Sequence, residues 1–240
     1  MNYKLPLTLP ARFIFFFAVF FIEAAIGLYD EGTGTSLWSL TVIIVNLLTL
    51  ADLQIVSAYN DMDLPQLINY KKGQTDRKKA VPLIIGFVLL GMGGMYLAGL
   101  LCYGTIMPKV SLQLMAPVPL ILVLINIIAL PITTTLAEDG LYLVCGVGQI
   151  ENKYAAVIIP ALLYAAQHCI IPLIADPVYM LYRFLSFLPL TLLFCIYYRR
   201  KKDPVPIMIS HFILDLATAL GILYASIVPG GYEQMQAMTG

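Results

Sequence analysis

Long apolar runs separated by short polar segments dominate the chain. Several of them approach the roughly 20 residues that an α-helix needs to cross the hydrocarbon core of a bilayer. Seven runs are predicted as membrane-spanning helices, with approximate limits 12–29, 36–58, 81–104, 117–149, 154–175, 178–198 and 204–228. The pattern therefore predicts an all-α fold: a polytopic membrane helical bundle with about seven transmembrane helices.

The first and fourth runs have features of their own. The first follows the basic residues Lys4 and Arg12, and it contains Glu23 but no convincing cleavage site. It is therefore predicted to be a retained anchor rather than a signal peptide. The fourth run is long enough to contain a tilt, a kink or a turn. Pro131 removes an intrahelical hydrogen bond, and the hydroxyl groups of 133–135 can partly replace it, so we predict a break there.

Basic residues are concentrated in two polar loops, 59–80 and 199–203. The loops on the other side are poor in Lys and Arg, and the one after the first run carries Asp30 and Glu31. With seven spans, both basic loops lie on the same side as the N-terminus. Because cytoplasmic loops carry an excess of Lys and Arg, the N-terminus is predicted to be cytoplasmic and the C-terminus outside. The basic loops are also expected to attract anionic lipid head groups.

The composition agrees with a membrane protein. Hydrophobic residues make up 60% of the chain and charged residues 12%, against roughly 25% charged in soluble domains. The net charge is zero, and no sustained basic and aromatic pattern is present, so nucleic acid is not an expected partner. The four cysteines lie in separate runs without C-x-x-C spacing and are interpreted as apolar core residues. Without an internal repeat or a soluble segment, residues 1–240 are predicted to form one integral membrane domain.

Ionisable residues interrupt the last apolar runs. Glu138 and Asp139 lie in the fourth run, while the only two histidines of the chain, His168 and His211, lie in the fifth and the seventh. Asp215 follows four residues after His211, on the same helix face. Ionisable groups in hydrocarbon are costly and usually face a partner or a wet cavity. At about 1.5 Å of rise per residue these groups share a compatible depth, so we predict that they line one polar cavity.

Carboxylates and imidazoles suit two kinds of hydrolytic chemistry. His-His-Glu is a known set of catalytic zinc ligands, although His211 and Asp215 are the only pair of such ligands on one helix. Without a metal, a carboxylate can act as a base beside a water molecule while an imidazole shares the proton and donors stabilise the oxyanion. The polar groups can also simply link helices. For Glu23 and Asp52, each isolated in an early run, helix packing or a wet crevice explains the residue as well as function does.

Three short motifs resemble those of the CAAX prenyl protease and bacteriocin-processing family of intramembrane proteases, also called the Abi family. That family carries E-E-x-x-x-R, F-x-x-x-H, and H-x-x-x-N or H-x-x-x-D, in this order and each on its own helix. In this chain they correspond to EDGLYL at 138–143, YAAQH at 164–168 and HFILD at 211–215. The basic turn RRKKDPVP before the last motif is also similar. The resemblance covers about residues 117–228, the motif-bearing core.

The resemblance implies hydrolysis of a peptide bond without a required metal or other cofactor. It identifies Glu138 as the general base, His168 as the group that helps to bind and activate a water molecule, and His211 as the group that stabilises the oxyanion. Asp215 has the position of the partner of His211, and it would either stay protonated or fix the tautomer of that ring. Asp139 would support the site.

The motifs depart from the family pattern at three positions. Asp139 shortens the second carboxylate, Tyr164 adds a hydroxyl group to the ring of the family phenylalanine, and Leu143 stands where the family has arginine. The leucine removes a cation that could pair with the carboxylates. Tyr164 is nevertheless expected to support the site together with Asp139.

The predicted function is that of a glutamate-dependent intramembrane endopeptidase acting on a membrane-associated peptide or protein. The alternative is a catalytically degenerate relative that acts as a membrane scaffold or binds a membrane protein partner. Two other classes fit less well. The acidic segment 60–63 suggests a transferase acting on lipid diphosphates, but a second acidic motif is missing. A proton-coupled transporter would be supported by an inverted repeat, which the chain lacks.

Overall fold

The structure, a computed structural model, describes residues 8–27 and 37–239. Lys4, Asp30 and Glu31, which contribute to the predicted orientation, lie outside these ranges. The elements in chain order are α1 (Thr8–Ala25), α2 (Trp38–Tyr59), α3 (Leu64–Leu67), α4 (Arg77–Tyr103), a 3-10 helix (Lys109–Met115), α5 (Leu120–Thr134), a π-helix (Thr135–Val147), α6 (Ala155–Gln167), α7 (Pro177–Lys201), α8 (Val205–Ile227) and α9 (Gly231–Ala237). No β-strand occurs in the described ranges, so the predicted all-α fold is confirmed.

Within the described ranges, six segments are long and apolar enough to cross a membrane: α1, α2, α4, α5 with the π-helix, α7 and α8. The remaining predicted span, 154–175, contains only the 13-residue helix α6. At about 20 Å this helix is shorter than a hydrocarbon core of roughly 30 Å. The chain is therefore an integral membrane helical bundle, and one of its seven predicted spans is a short helix followed by irregular backbone. The side of the membrane on which each end lies remains a prediction.

The irregular backbone after α6 is held by an arginine from the neighbouring helix. Arg183 of α7 is buried, and its guanidinium group donates hydrogen bonds to the carbonyl oxygens of His168 at 3.2 Å and Ile171 at 3.4 Å. The last carbonyl groups of a helix have no partner within the helix. Because Arg183 donates hydrogen bonds to two carbonyl groups at and after the end of α6, this helix can end inside the bundle, where unsatisfied backbone groups are costly.

The fourth run is not broken at the predicted place: it forms one continuous helical segment, Leu120–Val147, whose winding changes instead. The α-helix α5 contains Pro131 and passes into a π-helix at Thr135. The hydroxyl group of Thr133 donates to the carbonyl oxygen of Ala129 at 2.7 Å. In a π-helix, hydrogen bonds join residues five apart, and such segments are frequent at functional sites. The change of winding thus falls just before the first motif.

The π-helix lies at the centre of the bundle. It contacts α1, α2, α5, α6, α7 and α8, and all of its residues except Leu136 are buried. Gly146 permits part of this packing, because a Cβ atom there would lie only 2.8 Å from the ring of Pro160 in α6. Large apolar side chains instead cover the outside of the bundle, as on α1, where Ile14 and Phe21 are exposed. The fold therefore places lipid-compatible side chains outside and its first motif on the axis.

Candidate active site

The structure brings the residues of the three motifs together from three helices. The π-helix supplies Glu138 and Asp139, the C-terminal half of α6 with the residue that caps it supplies Tyr164 and His168, and α8 supplies His211 and Asp215. All of them are buried apart from Asp215, whose side chain retains 23% of its exposure.

The hydroxyl group of Tyr164 joins the first motif to the third. It donates a hydrogen bond to Oδ1 of Asp139 at 2.9 Å and lies 2.9 Å from Nδ1 of His211. A hydroxyl group has one proton, so with its proton directed to Asp139 it accepts from Nδ1–H of His211. Nδ1 itself is 3.4 Å from Oδ1 of Asp139. Asp139 and Tyr164, expected as supporting residues, therefore bind the His211 ring directly.

His211 has a second carboxylate on its other side. Nε2 lies 3.5 Å from Oδ2 of Asp215, one helical turn later in α8. This separation is longer than an ordinary N–H···O hydrogen bond of about 2.7–3.2 Å. The imidazolium form, in which both nitrogens carry a proton, would satisfy the contacts with both carboxylates. The structure thus places Asp215 beside His211, as the motif spacing predicts.

His168 is held in one orientation by its own helix. Its Nδ1 lies 2.8 Å from the carbonyl oxygen of Tyr164, one turn earlier. A carbonyl oxygen only accepts, so Nδ1 is the donor and Nε2 of the neutral ring is the acceptor. The ring stacks on Phe187 of α7 with a centroid separation of 3.6 Å. The rings of His168 and His211 lie 6.1 and 6.0 Å from the Tyr164 ring, so the tyrosine joins both histidines.

Glu138 forms a buried ion pair with a residue of the first helix. Its Oε1 lies 3.0 Å from Nη2 of Arg12, and the two side chains are only 2% and 3% exposed. The other carboxylate oxygen, Oε2, is buried and has no hydrogen-bond partner within residues 8–27 and 37–239. One oxygen of Glu138 is thus fixed by a cation, while the second remains available for a further partner.

Arg12 was not expected in the site. The sequence places it at the border of the first apolar run, whereas α1 begins at Thr8 and includes it. The buried residues of α1 are Leu9, Arg12, Phe16 and Phe20. Their spacing of three and four residues marks one helix face, so this periodicity is a signal that places the arginine on the inward face.

Two amides of the site were also missed. Gln167, inside the second motif, accepts hydrogen bonds at Oε1 from the hydroxyl group of Tyr142 at 2.8 Å and from Nε of Arg12 at 3.4 Å. Asn46 of α2 accepts from Nη2 of Arg12 at 2.6 Å and donates to the hydroxyl group of Thr134 at 3.0 Å. Nothing in the motifs distinguishes these amides from other polar residues, because their partners lie far away in the sequence.

The two isolated acidic residues of the early helices lie apart from these contacts. Glu23 accepts a hydrogen bond from the hydroxyl group of Thr41 at 2.6 Å, which links α1 to α2. Helix packing, one of the two explanations offered for Glu23, agrees with this contact. Asp52 is half-buried in α2 and makes none of the site contacts described above.

A metal centre finds little support in the arrangement of side chains. Within the described part of the chain, no three residues among His, Cys, Asp and Glu are grouped so that they could hold a metal ion. His211, the histidine of the only candidate ligand pair on one helix, is placed between two carboxylates. That the reaction needs no metal nevertheless stays a prediction.

Comparison with known families agrees with the motifs. Residues 119–217 match the family model described as Rce1-like, type II CAAX prenyl endopeptidase Rce1-like. The match spans less than half of the 240 residues but contains all three motifs. No curated protein and no solved structure matches the chain. The match confirms the resemblance to the CAAX prenyl protease family.

Proposed function

Because the segment that carries its motifs matches the Rce1-like CAAX prenyl endopeptidase family model, we propose that this integral membrane protein is a glutamate-dependent intramembrane endopeptidase. Its substrate is a membrane-associated peptide or protein. One observation carries the proposal: Glu138 is held through Oε1 by Arg12 while the buried Oε2 has no partner in the described ranges. A carboxylate fixed in this way has one oxygen ready to accept a proton from a water molecule.

The other groups supply the remaining parts of the reaction. Glu138 takes a proton from the attacking water molecule and later gives it to the leaving amine, while Nε2 of His168 accepts a hydrogen bond from the same water molecule. The Nε2–H group of His211 donates to the tetrahedral oxyanion, since its contact with Asp215 is long. Preorganised donors of this kind usually supply a large part of the rate enhancement.

The site is proposed to work without a metal ion, since a glutamate-activated water molecule supplies the nucleophile. Dialysis against EDTA should therefore leave the hydrolysis rate unchanged, and elemental analysis should find no zinc in proportion to protein. Stoichiometric zinc together with chelator-sensitive activity would contradict this part of the proposal.

A scaffold function remains the second candidate. It is favoured by the position of His211 between two carboxylates of the chain, and by Leu143, which is buried in the apolar core instead of supplying a cation. A polar network of this kind can also serve to link helices. The scaffold candidate predicts that partner binding persists when Glu138 or His168 is replaced.

The deciding experiment compares purified wild-type protein with Glu138→Gln, using lipid-anchored peptides, including prenylated C-terminal peptides, in bilayer discs. General-base loss typically lowers a rate by about 10²–10⁴-fold, and we expect a loss in this range. Glu23→Gln is the matched control, because it makes the same acid-to-amide change in another helix, and it should keep full activity. No cleavage by the wild type, or equal cleavage by Glu138→Gln, favours the scaffold.

A further inference from the structure

We propose that Arg12 of α1 is a positioning residue of the hydrolytic site: it orients Glu138 and supplies the cation that the family motif carries at the position of Leu143. The inference rests on the proposed function and extends the site beyond the matched segment 119–217. On this view the first helix is part of the active site as well as a membrane anchor.

The guanidinium group of Arg12 is held from several directions. Nη2 donates to Glu138 at 3.0 Å and to Asn46 at 2.6 Å, Nε donates to Gln167 at 3.4 Å, and Nη1 donates to the hydroxyl group of Thr49. The ring of Phe16 lies 4.6 Å from its central carbon atom. A planar guanidinium group bound by three different elements has little freedom to rotate, so the carboxylate that it binds is fixed as well.

The burial of Arg12 distinguishes it from arginines that only flank a membrane span and determine its orientation. A flanking arginine extends its charged end towards the membrane surface, whereas the side chain of Arg12 is 3% exposed. A buried cation is costly unless it is paired and its protons are satisfied. The ion pair occupies Oε1 of Glu138 and leaves Oε2 as the atom that accepts the proton. The cation therefore selects which oxygen acts as the base.

The position of Leu143 explains why a cation from another helix can serve here. Glu138 and Leu143 are five residues apart in a π-helix, whose hydrogen bonds join residues at that spacing, so their side chains lie on neighbouring turns of one face. Leu143 belongs to an apolar cluster that includes Leu9, three residues before Arg12. Helix α1 contacts the π-helix and brings Arg12 to Glu138, so the carboxylate can receive its cation from α1 instead of from position 143.

The test moves the cation between the two positions and follows kcat and KM in bilayer discs. Arg12→Met should lower kcat by roughly 10–100-fold, since misplacement of a reacting group by 1 Å can cost about 10²-fold, with little change in KM. Arg12→Lys should retain an intermediate kcat. The double variant Arg12→Met/Leu143→Arg should recover at least part of the loss, which a purely structural role of Arg12 does not predict.

Arg199→Met is the matched control. Arg199 of α7 donates to the carbonyl oxygen of Val147, the last residue of the π-helix, at 3.2 Å, so this variant also removes an arginine contact from that helix. Its kcat should stay at the wild-type value. Should Arg12→Met fail to accumulate in the membrane, Arg12→Gln, which keeps an amide donor for Asn46, takes its place in the comparison with Arg12→Lys.

The outcomes separate this inference from the function on which it rests. If Glu138→Gln is inactive but Arg12→Met keeps the wild-type kcat, the role of Arg12 is wrong and the endopeptidase proposal stands. The role of Arg12 would also be overturned if Arg12→Lys and Arg12→Met had equal kcat values and Arg12→Met/Leu143→Arg recovered no activity. If the wild type cleaves no peptide, or Glu138→Gln cleaves normally, both proposals fall together.

Discussion

Two consecutive carboxylates of the π-helix, Glu138 and Asp139, serve two different regions of the site. On the arginine side, Glu138 pairs with Arg12 of α1, which is itself bound by α2 and α6. On the histidine side, Asp139 contacts Tyr164 of α6 and His211 of α8. Neighbouring residues of a helix point in different directions, so one motif can reach partners on opposite sides. The sequence E-D therefore combines a cation-bound carboxylate with a histidine-bound one.

Stacked aromatic rings connect the two sides. The rings of Tyr142 and Tyr164 lie 4.4 Å apart and nearly parallel. The hydroxyl group of Tyr142 binds Gln167 on the arginine side, whereas that of Tyr164 binds Asp139 on the histidine side. If the proposed function is correct, the arginine side orients the base, and the histidine side positions the donor for the oxyanion.

Replacing each carboxylate by its amide should separate the two sides most clearly. Glu138→Gln removes the proton acceptor, so hydrolysis should fall by about 10²–10⁴-fold, while the amide oxygen can still accept the hydrogen bond of Arg12. Asp139→Asn should be milder, roughly tenfold, because an amide oxygen can still accept from Tyr164. Rates for a lipid-anchored peptide and thermal midpoints of both variants check this. An Asp139→Asn loss as large as that of Glu138→Gln would contradict this difference between the two sides.

Substitutions of His168 test whether hydrolysis depends on the acceptor Nε2 as well as on the orientation of the ring. His168→Asn keeps a donor near the position of Nδ1, which binds the carbonyl oxygen of Tyr164, but it lacks Nε2. We expect hydrolysis to fall by about 10²-fold, as for His168→Ala, with a thermal midpoint closer to wild type than that of the alanine variant. His168→Gln, which places an acceptor nearer to Nε2, should retain more activity than His168→Asn. The reverse order would show that only orientation matters.

The histidine side was predictable from the sequence because its residues lie in motifs with regular spacing. His211 and Asp215 are one turn apart in α8, and Tyr164 and His168 are one turn apart in α6, so local helix geometry alone aligns each pair. The irregularity after Pro131 could be expected for the same reason, since proline acts on its own helix, but it takes the form of a change of winding rather than a break. Local rules cannot show which hydroxyl group joins the helices, and the bridge made by Tyr164 appears only in the structure.

The arginine side was not predictable, because its contacts depend on which helices are neighbours. Arg12 and Glu138 are 126 residues apart, and a single sequence does not reveal that α1 packs on the π-helix. Leu143 shows that the arginine of the family motif is absent, but the sequence does not show which other residue pairs with Glu138. The early end of α6 was missed for a related reason. The apolar run continues to residue 175, so the sequence predicts a longer helix. The backbone leaves the helix at His168 because Arg183 of α7 binds its carbonyl oxygen.

The smallest expected effect concerns the two departures on the histidine side, Asp139 and Tyr164. A shorter carboxylate and an added hydroxyl group can compensate for each other, since the hydroxyl group bridges Asp139 and His211 at 2.9 Å on each side. Tyr164→Phe leaves two buried polar groups without this partner, which costs about 1–3 kcal/mol, and the rate should fall by roughly tenfold. Asp139→Glu alone overfills the site and costs a similar amount.

The double variant Asp139→Glu/Tyr164→Phe restores the residue pair of the family motifs and should be less impaired than the two single losses combined. In this variant we expect the longer carboxylate to fill the space of the hydroxyl group and to bind Nδ1 of His211 directly. Coupling between residues in contact is typically about 0.5–3 kcal/mol, which hydrolysis rates and thermal midpoints of the four proteins measure. Additive losses would mean that Asp139 and Tyr164 do not compensate for each other, which would contradict this prediction.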